Sequence, residues 1–161
     1  LKRFKITPTS PALILAVQVV IYALYSIASL ILVYATGAIL FGYQLRGSWL
    51  QFLGAYLLVM LSMFSIGILV GGIAPNMKTA SIAASLLYFP MLIFSGATLP
   101  YEVMPTALQK ITNILPLTQG VKLLKAASLG LPIGSVSLPV IVMIVIAVLC
   151  ITISLRFFKW E

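Results

Sequence analysis

The chain contains no aspartate and no histidine, and its acidic side chains are only two, Glu102 and Glu161. Cysteine is nearly absent as well, with Cys150 alone inside an apolar run. Zinc, iron and calcium sites need groups of His, Cys or carboxylate ligands, so the sequence offers no metal site. Nucleophilic catalysis needs a base beside the nucleophile, and neither a catalytic His nor a paired carboxylate is at hand. There is no G-x-S-x-G elbow and no G-x-x-x-x-G-K-[ST] phosphate loop. The expectation is a chain with no catalytic residue and no bound cofactor. Cys150 cannot form an intrachain disulfide and reads as a small packing residue.

Charge of either sign is scarce. Only 7% of the 161 residues are charged, against about 25% in a soluble domain. Hydrophobic residues make up 62%, and the mean hydropathy is +1.20. A soluble fold of this size cannot hide so much apolar surface, so the class is integral membrane protein. The ten Lys and Arg against two Glu give a net charge of +8. Lys2, Arg3 and Lys5 precede an apolar stretch over 6–45, far longer than the roughly 7–15 residues of a signal-peptide core. The sequence is therefore read as a fragment that begins inside a larger membrane protein.

The charges punctuate the chain. None lies between Lys5 and Arg46, Arg46 and Lys78, Lys78 and Glu102, or Lys125 and Arg156. A spanning helix needs about 20 apolar residues, which predicts an all-α membrane helix bundle with four spans at about 12–36, 50–73, 79–98 and 135–155. Ser10 and Pro11 suit the cap and first position of the first helix. Gly71-Gly72 and Pro75-Asn76 are expected to form the turn into the third, where Pro90 should kink the helix. Four spans put both termini and Lys78 on one side, with six basic residues against four on the other. The bias favours cytoplasmic termini in a multi-pass protein of the cell membrane.

The segment over 100–130 differs from the rest. Met104, Leu108, Ile111 and Leu115 recur at helical spacing, and after Pro116 so do Leu117, Val121 and Leu124. Lys110, Lys122 and Lys125 sit on other faces. These are expected to be two short interfacial amphipathic helices, too polar to span. Glu102 reads as a cap or interfacial anchor.

Two polar stripes are candidates for a substrate path. Gln18, Tyr22, Tyr25 and Ser29 follow one face of the first span, and Ser81, Ser85, Tyr88 and Ser95 one face of the third. Ser62 and Ser65 lie near Gly67 in the second. Small and hydroxylated residues are also the ordinary material of helix contacts in membranes, so path and packing both stand. The last span, nearly pure aliphatic over 138–151, is expected to face lipid on more sides.

The run from Pro90 through Phe94-Ser95-Gly96, Pro100 and Pro105 to Pro116-Leu117-Thr118 resembles the ABC-2 type permease signature. Leu1-Lys2-Arg3-Phe4-Lys5-Ile6-Thr7-Pro8-Thr9-Ser10 is similar to a segment common in bacterial members. The resemblance implies one permease domain over 1–161, truncated at its N-terminus. It implies a cytoplasmic coupling segment (Lys2, Arg3, Lys5, Thr7, Pro8, Thr9, Ser10) touching an ABC ATP-binding subunit, which would bind ATP and Mg. It further implies a second permease protomer, homo- or heterodimeric, and short re-entrant helices over 100–130 on the outer face. The function expected is ATP-driven export of an amphiphilic, lipid-like or drug-like substrate, or of a polysaccharide. Gln18, Tyr22, Tyr25, Ser85, Tyr88, Pro90, Ser95 and Gly96 are the expected path or gate. Membrane lipid is a partner, and nucleic acid is not. The rival readings are a non-transporting membrane scaffold or assembly protein, and a polytopic membrane enzyme.

Overall fold

A computed structural model describes residues 11–100, 103–132 and 136–157. Among them every regular element is an α-helix: α1 (Pro11–Phe41), α2 (Trp49–Ile73), α3 (Met77–Phe94), α4 (Thr106–Thr112), α5 (Pro116–Leu129) and α6 (Ser137–Phe157). Four of these, α1, α2, α3 and α6, are long and apolar enough to cross a membrane. The protein is a multi-pass membrane helix bundle. The chain divides into two units, Leu1–Gln44 and Leu45–Glu161.

The first unit is built on α1. It starts at Pro11 as expected but runs on to Phe41, five residues beyond the expected end. Gly37 does not stop it, because a glycine costs a helix only about 1 kcal/mol while an unpaired backbone in hydrocarbon costs several. The helix stops at Gly42, whose φ is 63°, and the Tyr43 N–H returns to the Gly37 carbonyl at 3.1 Å. Tyr43 also packs edge-on against Tyr34. The cap at Ser10 lies outside the described residues.

In the second unit the same logic carries α2 through Gly71 and Gly72 to Ile73. The turn is therefore shorter than expected, Ala74 to Asn76. Asn76 caps α3, its Oδ1 accepting from the Thr79 N–H at 2.8 Å and the Thr79 hydroxyl at 2.9 Å. The third span ends at Phe94, earlier than the expected 98. Ser95 still has helical torsions as the C-cap, and Gly96 then turns the chain with a φ of 85°, a conformation that glycine adopts without steric cost.

The packing core joins α2, α5 and α6. Val59, Leu123, Ala126 and Val136 form its centre, with Ala55, Leu58, Met63, Leu124 and Val140 against them. Met143 of α6 is fully buried. It meets Val59 over Gly120 of α5, where an added Cβ would lie 3.0 Å from each of the two side chains. Ser62 sits within 2.8 Å of the Leu58 carbonyl and 2.9 Å of the Met143 carbonyl, so its single proton is shared between its own helix and α6. Ser65 donates to the Ser62 carbonyl at 2.7 Å and bonds with Cys150 of α6. The aliphatic α6 is thus a packed helix as well as a lipid-facing one, contrary to expectation. Met143, Ala147 and Ser154 are buried, whereas Leu138, Ile141, Ile144 and Val148 stay exposed.

Candidate functional site: the α4–α5 hairpin and the end of the third span

The two short helices α4 and α5 fall where the sequence placed them, and α5 also packs against α2. At its C-terminal end α5 meets the start of α2, where the N–H groups of Arg46 and Gly47 both donate to the Ser128 carbonyl, at 3.1 and 3.2 Å. Nearer its N-terminus, Gly120 packs on Val59. Trp49 and Val59 are ten residues apart along α2, a rise of about 15 Å. Hence α5 runs antiparallel beside α2 over about this length.

Leu117, Val121 and Leu124 of α5 are only half-buried, and the buried residues are Thr118, Gln119, Gly120, Leu123 and Ala126. In α4, Ile111 is exposed and Thr112 is buried. In a membrane the small and polar face turns inward, because it permits close backbone approach and finds hydrogen-bond partners there, while apolar residues are at home against lipid.

Joint geometry fixes both ends of α5. Gly47 tolerates no side chain, since a Cβ there would stand 2.0 Å from the Ala127 carbonyl oxygen. The C-terminus closes at Gly130, with the Leu131 N–H on the Ala126 carbonyl at 3.0 Å and the Gly130 N–H on the Ala127 carbonyl at 3.4 Å, a Schellman pairing. At the other end the Thr118 hydroxyl donates to the Phe94 carbonyl, the last of α3, at 3.3 Å. Two further bonds finish that helix. The Ser95 and Thr98 hydroxyls both donate to the Leu92 carbonyl, at 2.9 and 3.1 Å.

The turn between α4 and α5 gathers polar groups inside the bundle. The Asn113 backbone carbonyl accepts from the Gln119 amide nitrogen, and its side-chain Oδ1 accepts from the Lys122 ammonium. Gln109 donates to the Met104 carbonyl at 2.9 Å, and Thr112 to the Gln109 carbonyl at 3.0 Å. Gln119 is 2% exposed, and its Oε1 has no protein donor among the described residues. A buried acceptor left in this way costs on the order of 1–3 kcal/mol. The turn therefore presents an acceptor to any donor that reaches it.

The expected site residues divide into groups. Lys2, Arg3, Lys5, Thr7, Pro8, Thr9 and Ser10 lie outside the described residues. Gln18, Tyr22, Tyr25 and Ser29 are exposed on α1. Ser85 and Pro90 line a shallow open groove of about 520 Å³ on α3, with Ser81, Ile82, Leu86 and Phe89. Tyr88 is exposed beside them and meets the Phe89 ring edge-on. Ser95 is buried and Gly96 is the turn itself. The helix assignment is unbroken through Pro90. Sequence reasoning used Thr118 only as part of a motif and passed over Asn113 and Gln119 as functional groups. The signal was available: Asn113, Thr118 and Gln119 lie close on either side of Pro116.

Comparison with known proteins agrees with this architecture. The family model for the ABC-2 type transporter matches residues 1–129. Nodulation protein J from Neorhizobium galegae is 34% identical over 98 residues, 61% of this chain and 35% of that protein. Nodulation protein J from Rhizobium leguminosarum bv. viciae is 36% identical over 97 residues, 60% of this chain and 35% of that protein. The protein of the same name from Sinorhizobium fredii is 31% identical over 105 residues, 63% of this chain and 40% of that protein. The match thus spans well under half the length of these relatives. No solved structure matches significantly. On the family match and the four-span helical fold, the chain belongs to the ABC-2 type transporter membrane family.

Proposed function

We propose that this chain is part of the permease of an ATP-driven exporter. The observation that carries the reading is the meeting of α3 with the short helix α5, at the Thr118–Phe94 hydrogen bond. A structural scaffold has no need to end a span against a buried polar turn. A transporter does, because irregular backbone at membrane depth is tolerated where it is packed in protein or lines a path. In this reading α2, α5 and α6 form a fixed frame. The end of α3, with Pro90, Ser95 and Gly96, is the gate that moves against it by a hinge-type motion.

ATP hydrolysis belongs to a separate ATP-binding subunit, which docks on the cytoplasmic segment Lys2, Arg3, Lys5, Thr7, Pro8, Thr9 and Ser10. Both termini of the chain are cytoplasmic, and a second permease protomer completes the path. The substrate is amphiphilic, lipid-like or drug-like, or a polysaccharide. Two exposed tyrosines on α1, Tyr22 and Tyr25, and Tyr88 on α3 suit a lining for such molecules. The test is Arg3→Glu with Lys5→Glu in the full-length permease, co-expressed with its ATP-binding subunit. Co-purification and transport should both fall to background. Intact assembly and transport would remove the docking assignment.

A further inference from the structure

We infer that Arg46 and Lys125 form a headgroup site for an anionic phospholipid at the joint between the start of α2 and the end of α5. The two cations come from distant parts of the sequence and are held together by backbone. The Arg46 N–H donates to the Ser128 carbonyl at 3.1 Å, and Lys125 lies one helical turn before Ser128, whose hydroxyl bonds the Lys125 carbonyl at 2.8 Å. Gly47, with no room for a Cβ, prevents the joint from being displaced by a side chain. Both cations are exposed. The site is therefore pre-arranged on the packed core rather than on a loose loop.

Its depth suits a headgroup. Trp49, three residues after Arg46, is 57% exposed, and exposed tryptophan marks the level where hydrocarbon gives way to headgroups. Charge complementarity points to an anion. The joint carries two positive charges, on Arg46 and Lys125. Basic groups at that level attract anionic lipid. The bland alternative is that the cations only neutralise the C-terminal dipole of α5. That alternative predicts a stability change indifferent to lipid.

The experiment is native mass spectrometry of the detergent-purified protein, titrated with phosphatidylglycerol or with phosphatidylcholine of the same chain length. Phosphatidylglycerol should be retained several-fold better. Removing one charge, by Arg46→Gln or Lys125→Gln, should weaken its retention about fivefold, and removing both about 25-fold. Arg46→Lys and Lys125→Arg should restore it, which separates charge from folding. Equal retention of the two lipids, or unchanged retention in the double variant, would overturn the proposal. So would displacement of the lipid by millimolar inorganic phosphate, since that would mark a small-anion site instead.

Discussion

The second and third spans are made of similar material and behave differently. In α2 the serines at 62 and 65 are buried against α6, and Val59 meets Met143 over the glycine of a third helix. In α3 the serines at 81 and 85 face an open groove, and no residue of the helix is buried. Serine content did not separate them. What separates them is whether a partner permits close approach, as Gly120 does for Val59 of α2. A membrane gives apolar helices no hydrophobic reason to associate. Close approach and shared hydrogen bonds decide, and α3 has mainly the Thr118 bond at its end.

The strongest way to break this contrast is at the joint that fixes α5 to α2. Gly47→Ala would drive a Cβ to 2.0 Å from the Ala127 carbonyl oxygen, costing about 3 kcal/mol, the upper end of overpacking effects. Gly54→Ala, with nothing within 4 Å of its added Cβ, should be neutral or slightly stabilising. Thermal unfolding in detergent compares the two directly. Next in size is Met143→Ala, which empties the point where α2, α5 and α6 meet and should cost about 2–4 kcal/mol. The matching change on α3, Leu86→Ala at a 70% exposed position, should stay within about 0.5 kcal/mol.

Smaller again is Ser62→Ala. It removes the α2–α6 hydrogen bond and should cost about 0.6 kcal/mol, the average for such bonds between membrane helices. Thr118→Ala should cost a similar amount in stability, read by the same unfolding assay. Its larger effect is expected in transport, because it frees the end of α3 from the frame. A transport rate unchanged by Thr118→Ala would remove the gate assigned to that joint.

Much of the fold was legible because charge gaps and helix length are set by bilayer thickness. All four spans and both short helices were expected near their observed positions. Boundaries erred where glycine was given too much weight, at Gly37 and at Gly71-Gly72, since hydrocarbon holds a helix together through such residues. Which face of α5 packs on protein is not written in its apolar spacing, because in a membrane small and polar residues find partners while apolar ones can face lipid. The polar turn between α4 and α5 was less legible still. Asn113, Gln119 and Lys122 meet only because the chain reverses at Pro116, and no periodicity reports a reversal. The stripes of α1 and α3 are exposed apart from the buried Ser95, and what they meet is not written in their spacing.

The fixed frame and moving third span can be tested by tethering. In a Cys150→Ala background, Phe94→Cys with Thr118→Cys would be joined by a short thiol cross-linker across the α3–α5 contact. Ala55→Cys with Ala126→Cys would be joined in the same way within the α2–α5 core. If α3 moves against the frame, the first tether stops transport in reconstituted vesicles relative to the same variant left unlinked, while the second leaves transport largely intact. Transport that survives the 94–118 tether, or stops with the 55–126 tether, would contradict that division of the molecule.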